Sequence, residues 1–325
     1  MSEQREISEN EDPDLAEDEE DDDEDCFGFD DDSYFNFQDD EPPGGEKPPG
    51  TDENQNVSKL FEFLDEAPPD HSFLRHHFTP NDSKVFTCAM VSERTMMLRD
   101  LPEGVHVKFF ENRLDLSTCM IEGPKHTPYA DCLFFFDIQM SQDYPKSAPK
   151  VKFLSYTTQK LNPNLYDTGY VCLSLLGTWP GDTVETWSAA KSSLLQLFVS
   201  IQGLILVAEP FYNEPGYHHK RGIPKFAEKS QKYNGDIMRL VLGSMWRQIE
   251  RSPMCFAKEV EEHYTAKGQE ICNRFEMYLE NPSIAPFPMV KTEDFTYAAS
   301  ELKALRAVVT RLQQKQAEIP PKTAN

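Results

Sequence analysis

The 325-residue sequence concentrates its charge at one end and leaves the rest of the chain nearly neutral. Residues 1–56 hold 24 acidic and two basic residues, a net charge of −22, whereas residues 57–325 carry a net charge of −2. A region so close to neutral has no broad basic surface for the phosphates of nucleic acid, so we expect no DNA or RNA binding.

Cysteine usage and hydropathy narrow the class of protein further. The seven cysteines are an odd number and contain no CxxC pair, which is unlike the regular spacing of a disulfide framework or a zinc ribbon. The first ten residues contain no apolar signal segment, and the longest apolar runs are too short to span a bilayer. We therefore expect a soluble protein of the cytoplasm, the nucleus or both, without membrane association.

Residues 1–56 are predicted to form a disordered acidic tail. The unbroken acidic run from Glu17 to Asp25 repels itself and has no apolar residue to bury. Three interpretations of the tail stay open: an electrostatic device that recruits basic protein substrates or folds back on the basic loop at residues 218–221, a short docking motif of aromatic residues among aspartates, or a solvated spacer. Proline and glycine residues between positions 42 and 50 interrupt regular structure before the ordered region begins.

A helix and a set of short strands are predicted next. The helix runs to Asp100, before Pro102, and either Asn81 or Ser83 caps its beginning. Four extended segments follow with tight connections: Val105–Glu111, Leu116–Gly123, Leu133–Met140 and Val151–Tyr156. Consecutive short strands of this kind predict an antiparallel meander. Together with the helices on either side, they indicate a fold of the α/β (α+β) class.

Three further helices are predicted after the strands, and they complete a domain at residues 57–280. They cover Lys191–Val207, which ends before Pro210, and approximately Tyr233–Glu250 and Cys255–Leu279. The side chains of the first helix that we expect to face the core are Leu194, Leu195, Phe198, Ile201, Leu204 and Ile205.

The C-terminal region is predicted to contain a linker, one helix and a disordered end. Three prolines predict the linker at residues 281–291, and residues 318–325 form the disordered end. The helix, Thr292–Ala317, carries an apolar seam over three heptads: Phe295, Ala298, Leu302, Leu305, Val309 and Leu312. Such a seam packs on the same chain, on a partner, or on a second copy as a short coiled coil that lets the protein self-associate.

Cys172 is the candidate nucleophile. It lies on an irregular segment with Pro163 and Gly169, and functional groups concentrate on loops of this kind. The Asn164 amide, eight residues earlier, can donate to an oxyanion when an acyl thioester is attacked. A thiol without a neighbouring base suits exchange between thioesters better than amide hydrolysis. The alternative is a buried cysteine that acts as a small hydrophobic residue, which also fits Cys119 and the other cysteines in regular elements.

Several motifs resemble those of the ubiquitin-conjugating enzyme family. The Pro163-Asn164 pair lies before Cys172 at the family's spacing, and the strand connections Gly123-Pro124 and Tyr144-Pro145 and the Trp187-Ser188 pair are also similar. The resemblance covers residues 60–279. It is strongest to the conjugating domain of ubiquitin-conjugating enzyme O, in the subgroup of large conjugating enzymes, over blocks 111–116, 171–179 and 205–217.

This resemblance implies a fold, an activity and three site residues. It implies an N-terminal helix, a four-stranded antiparallel meander, an active-site loop and C-terminal helices. Cys172 would accept ubiquitin from the ubiquitin-activating enzyme as a thioester, and Asn164 would stabilise the oxyanion when a substrate lysine attacks. Glu214 would be the residue that orients and desolvates that lysine. No metal and no cofactor is implied, because ATP is used by the activating enzyme and not bound by this domain.

Some positions depart from the family pattern. Asn162 replaces the usual histidine of His-Pro-Asn, at a position that organises the loop and does not react. Lys146 and Ala189 replace residues of the usual ligase-docking surface, which weakens the case for an ordinary RING-type ligase and leaves open whether a separate ligase is needed. Three alternatives remain: a catalytically inactive ubiquitin-binding variant, which would lack the cysteine; an acidic interaction protein in which the tail acts and the domain is a scaffold; and a conjugating enzyme for a ubiquitin-like modifier.

Overall fold

A five-stranded sheet lies at the centre of the computed structural model, which describes residues 60–178 and 185–318. Its strands, in spatial and chain order, are β1 (Phe61–Leu64), β2 (Val105–Phe110), β3 (Leu116–Glu122), β4 (Leu133–Gln139) and β5 (Lys150–Phe153). The helices are α1 (Ser83–Asp100), α2 (Leu194–Ser200), α3 (Pro224–Glu250), α4 (Ala257–Glu280) and α5 (Phe295–Ala317). The predicted acidic tail at 1–56 and all but the first residue of the predicted disordered end lie outside the described residues.

The predicted antiparallel meander is confirmed, but the sheet has one more strand than predicted. Strands β2 to β5 pair antiparallel in chain order, with Cys119 of β3 opposite both Val107 and Phe136. The additional strand β1 pairs parallel to β2, with Phe63 opposite Phe109. A four-residue strand is too short to give a periodic pattern, so tertiary pairing and not local sequence defines it.

Helix α1 begins at Ser83 and has a different cap from either of the two predicted. The Asp82 carboxylate accepts a hydrogen bond from the Val85 backbone N–H at 3.0 Å, so Asp82, and neither Asn81 nor Ser83, is the N-cap. The helix ends where Leu101 adopts an extended conformation, as a residue before proline favours.

Helix α2 is shorter than predicted and ends in an irregular turn. Its α-helical part is Leu194–Ser200, and residues Ile201–Ile205 continue as a π-helical turn. The wider turn changes which side chains face inward: Ile201 and Ile205 are buried as predicted, whereas Leu204 is 60% exposed. The prediction that Leu204 faces the core is therefore wrong, since it assumed a regular helix throughout.

Helices α3 and α4 follow in the predicted order, and α3 begins nine residues earlier than predicted, at Pro224. Pro224 occupies the first turn, where its missing N–H leaves no hydrogen bond unmade. No helix within residues 60–178 and 185–318 is both long and apolar enough to cross a membrane.

The two faces of the sheet carry different chemistry. One face presents apolar side chains such as Phe109, Cys119 and Phe136, which belong to the main hydrophobic core. The other face carries Lys108 and Asp137, each opposite Thr118 of β3. Lys108 donates to Glu259 of α4 at 2.5 Å and Asp137 accepts from the Ser72 backbone N–H at 2.7 Å. Both faces are therefore covered by the chain's own elements.

The segment predicted as a linker is packed onto the domain. Phe287 and Met289 are buried, and the Asn234 side chain of α3 donates to the Pro288 carbonyl at 2.7 Å. Residues 281–291 thus connect helices α4 and α5, and this proline-containing connection lies against the core.

Helix α5 packs on α3 and α4 of the same chain through the predicted seam. Phe295, Leu302 and Leu305 are at most 5% exposed. A Cβ atom placed on Gly268 of α4 would lie 2.7 Å from the Val309 side chain, so the two helices approach at a residue without a side chain. The seam therefore packs on the same chain, which is the first of the three predicted possibilities.

We predict that Leu305→Ala lowers the free energy of unfolding by about 2–5 kcal/mol, since it leaves a cavity between three helices. Lys303→Ala, an exposed change on the same helix, should alter it by less than about 0.5 kcal/mol. Urea denaturation followed by circular dichroism measures both. Equal midpoints for the two variants would contradict cis packing of the seam.

Candidate active site

The loop that carries Cys172 is a chain of tight turns held by backbone pairing. Leu165 forms isolated bridges with both Asn162 and Val171, which fold residues 162–171 back on themselves. Gly169 has φ +92°, and a Cβ atom there would lie 2.8 Å from the Phe153 carbonyl of β5. Only glycine accommodates both the left-handed conformation and this close approach, so the loop is pinned against the end of the sheet.

Asn162 anchors the loop to the core through a fully buried side-chain amide. Its Nδ2 atom donates to the Tyr129 hydroxyl and to the Ile205 carbonyl, both at 2.8 Å, and its Oδ1 atom accepts from the Asn164 N–H at 2.8 Å. Tyr129 in turn donates to the Leu161 carbonyl at 3.2 Å. The Asn162 side chain therefore holds together the segment between β3 and β4, the π-helical turn that follows α2, and the Cys172 loop.

Asn164 lies beside Cys172, but its amide is directed at the backbone. The Nδ2 atom of Asn164 donates to the Cys172 backbone carbonyl at 2.8 Å, and the backbone carbonyl of Asn164 accepts from the Cys172 backbone N–H at 2.9 Å. Its Oδ1 atom is buried without a hydrogen-bond partner among the described residues. The amide thus supports the backbone at Cys172.

The thiol of Cys172 is held against Thr178. The Cys172 Sγ atom donates to the Thr178 carbonyl at 3.1 Å, and the Thr178 hydroxyl accepts from the Leu173 N–H at 2.8 Å while it donates to the Val171 carbonyl at 2.8 Å. Thr178 therefore braces the residues on both sides of the thiol.

A cleft of about 270 Å³ opens beside Cys172 and brings Glu214 to the same site. Asn164, Leu204 and Glu214 line the cleft together with Cys172. Glu214 follows a short 3₁₀ turn, Pro210–Asn213, which the Asn213 side chain ties to the Leu204 carbonyl at 2.8 Å. The three residues predicted for the site therefore lie around one opening, although Glu214 is far from the others in sequence.

Two opposite charges act on the thiol. Burial is the largest influence and raises the pKa of Cys172, the Lys160 ammonium opposes this, and the Glu214 carboxylate adds to it. Lys160 and Glu214 are themselves paired at 3.6 Å. By contrast, burial alone raises the pKa of Cys119 well above its ordinary value, and burial raises that of Cys132 to about 12. Those two thiols lie inside the core, where a thiolate does not form at neutral pH.

Comparisons with known proteins identify the family of the chain. A family model described as ubiquitin-conjugating enzyme matches residues 89–240. A protein of Arabidopsis thaliana named putative ubiquitin-conjugating enzyme E2 38 is 36% identical over 220 residues, which are 67% of this chain and 67% of that protein. The chain belongs to the ubiquitin-conjugating enzyme family.

Two further relatives of this ubiquitin-conjugating chain are much longer proteins. Probable ubiquitin-conjugating enzyme E2 26 of Arabidopsis thaliana is 38% identical over 67% of this chain and 40% of its own length. The human protein named dual E2 ubiquitin-conjugating enzyme/E3 ubiquitin-protein ligase BIRC6 is 43% identical over 54% of this chain and 4% of its own length. The chain thus spans less than half of either relative. The narrower resemblance to enzyme O stays a prediction.

Sequence reasoning missed two residues of this conjugating-enzyme site. Thr178 belongs to residues 177–185, which make the loop after Cys172 longer than in most members of the family. Nothing in the sequence around Thr178 indicates its hydrogen bonds to Val171 and Leu173. Lys160 precedes the motif by two residues, and its pairing with Glu214 depends on the fold. A signal existed for Asn162, because a polar residue at the position that organises the loop predicts buried hydrogen bonds.

Proposed function

We propose that this chain carries ubiquitin as a thioester on Cys172 and transfers it to lysine side chains of protein substrates. The observation that carries the proposal is the environment of Cys172: a thiol at a cleft, on a loop fixed by buried hydrogen bonds, under the opposed charges of Lys160 and Glu214. Cys119 and Cys132, which are enclosed by the core, cannot accept a macromolecule.

The proposed cycle has two acyl transfers. In the first, the Cys172 thiolate attacks the thioester between ubiquitin and the activating enzyme; a new C–S bond forms, and the activating enzyme's thiolate leaves. In the second, a neutral lysine amine attacks the carbonyl carbon on Cys172; the C–N bond forms, the Cys172 thiolate leaves, and the ammonium proton passes to solvent. A thiol whose pKa is raised is a poorer leaving group, so burial of Cys172 favours a thioester that persists until an amine is positioned.

Asn164 and Glu214 are proposed to act in the second transfer. The Asn164 amide, beside the sulfur, would donate to the oxyanion of the tetrahedral intermediate. Glu214 would hold the acceptor's ammonium at the cleft by charge-assisted hydrogen bonding. Its carboxylate also favours the protonated form of that acceptor, so a second influence must promote deprotonation.

Partners and compartment follow from this proposal. The activating enzyme and ubiquitin are required, and basic proteins are proposed substrates because of the charge of residues 1–56, which lie outside the described residues. Lys146 is exposed beside Pro145, whose carbonyl accepts from the Trp187 indole at 2.7 Å; the need for a separate ligase stays open.

The proposed compartment is the cytoplasm, the nucleus or both. A ubiquitin-like modifier is the second candidate cargo, and parallel charging reactions distinguish the two.

We predict that Cys172→Ser abolishes the reductant-labile ubiquitin adduct and forms at most a slower, reductant-stable ester, since an alcohol is a much weaker nucleophile than a thiol. Cys88→Ser, at an exposed cysteine of α1, should be charged like the native chain. Reactions with activating enzyme, ATP and ubiquitin, separated with and without reductant, measure both. Normal labile charging of Cys172→Ser would disprove the proposed function.

We predict that Asn164→Ala and Glu214→Gln separate charging from discharge. Asn164→Ala should slow discharge to lysine about 10²–10³-fold, as loss of one oxyanion donor does, while charging is largely retained. Glu214→Gln should also reduce discharge more than charging, because the acceptor loses its carboxylate partner. Single-turnover discharge of the purified thioester measures these rates. If charging and discharge fall equally in both variants, the two residues have only structural roles.

A further inference from the structure

Lys160 occupies the position at Glu214 that an acceptor lysine would need. Its Nζ atom lies 3.6 Å from Glu214 Oε1 and 4.0 Å from the centre of the Tyr166 ring. Both charged side chains are about one-third exposed, at 36% and 37%, so solvent and other molecules can reach the pair. Glu214 lines the cleft with Cys172, and Lys160 acts electrostatically on the same sulfur.

The pairing of Lys160 with Glu214 can be exchanged at low cost. Ion pairs between partly exposed side chains contribute little net stability, because both groups are well solvated when apart. An incoming ammonium can therefore replace Lys160 at Glu214. The face of the Tyr166 ring remains available to Lys160 after this exchange, and a ring face attracts an ammonium independently of any carboxylate.

We propose that Lys160 is a positioning residue that occupies Glu214 until an acceptor lysine displaces it, and that its ammonium then promotes loss of the acceptor's proton. This inference rests on the proposed function. Two ammonium groups held beside one carboxylate repel each other, and the repulsion favours the neutral form of one of them. The Tyr166 ring face stabilises the charged form of Lys160, so the acceptor is the group that loses its proton. The neutral amine is the form that attacks the thioester. Lys160 therefore promotes the deprotonation of the acceptor lysine, which Glu214 alone would oppose.

The charged and titratable groups around this pair come from three parts of the fold. They are Tyr166 and Cys172 of the loop, His218 of the turn that lines the cleft, and Tyr233 and Arg239 of α3. Arg239 reaches the loop through Gln159, to which it donates at 3.0 Å. Burial raises the pKa of Tyr233, so Tyr233 stays neutral at the pH of the reaction. All of these side chains are retained in a Lys160 variant, and the change that a variant makes at the Cys172 thiol is measured separately with a second nucleophile.

The test is single-turnover discharge of the purified Cys172 thioester to free lysine between pH 7 and pH 9.5. The full chain is compared with Lys160→Gln, which removes the charge, and with Lys160→Arg, which keeps it. We expect Lys160→Gln to move the pH dependence of discharge upward by about one unit and to slow discharge about tenfold at pH 7.5, the change given by one pKa unit in the acceptor. Lys160→Arg should keep the native profile.

A second nucleophile isolates the thioester itself. Hydroxylamine is uncharged over this range and has no ammonium for Lys160 to repel, so any change in its reaction with the Lys160→Gln thioester reports the Cys172 leaving group, whose pKa Lys160 lowers. The loss of rate with lysine beyond that change, and the shift of its pH profile, report the acceptor's proton. Coincident lysine profiles for the native chain and Lys160→Gln would overturn the proposal. So would ubiquitin found on Lys160 by peptide mass spectrometry, since Lys160 would then be an acceptor. Absence of any thioester on the native chain would instead disprove the proposed function.

Discussion

The buried amide of Asn162 is the interaction on which the arrangement at Cys172 depends. It is enclosed completely and connects three separate parts of the chain: Tyr129 between β3 and β4, Ile205 at the end of α2, and Asn164 on the loop. A buried hydrogen-bonding group left without its partner costs about 1–3 kcal/mol, so a displaced amide would leave three groups unsatisfied at once. The loop therefore has one favourable conformation, and the sulfur has one position relative to the cleft.

In the proposed reaction, fixed geometry and opposed charges would together keep the thioester stable until it is transferred. Burial raises the pKa of the Cys172 thiol, which would make it a poorer leaving group, while Lys160 lowers that pKa and Glu214 raises it. The two charges lie on different elements, the loop before Cys172 and the turn after α2. Their balance at the sulfur therefore depends on the same Asn162 contacts that hold the loop to the end of α2.

The elements with strong local patterns could be predicted from sequence, and those defined by distant partners could not. Turn residues and apolar segments were sufficient for the four strands of the meander and for α1, while β1 exists because β2 offers an edge. A regular helix would direct Leu204 into the core. The π turn at Ile201–Ile205 directs it outward instead. In the site, a motif indicates Cys172 and Asn164, but the pairing of Lys160 with Glu214 is a tertiary contact without a local signal.

Hydrogen–deuterium exchange of Asn162→Ala tests most directly whether this one amide holds the site. The account predicts that amides of residues 162–178 exchange at least about tenfold faster than in the native chain, as loss of roughly 1.4 kcal/mol or more gives, while β3 and β4 are unchanged. Asn213→Ala, which removes a neighbouring amide bonded to the Leu204 carbonyl, should leave the loop protected. Unchanged exchange in residues 162–178, or equal acceleration throughout the domain, would contradict the account.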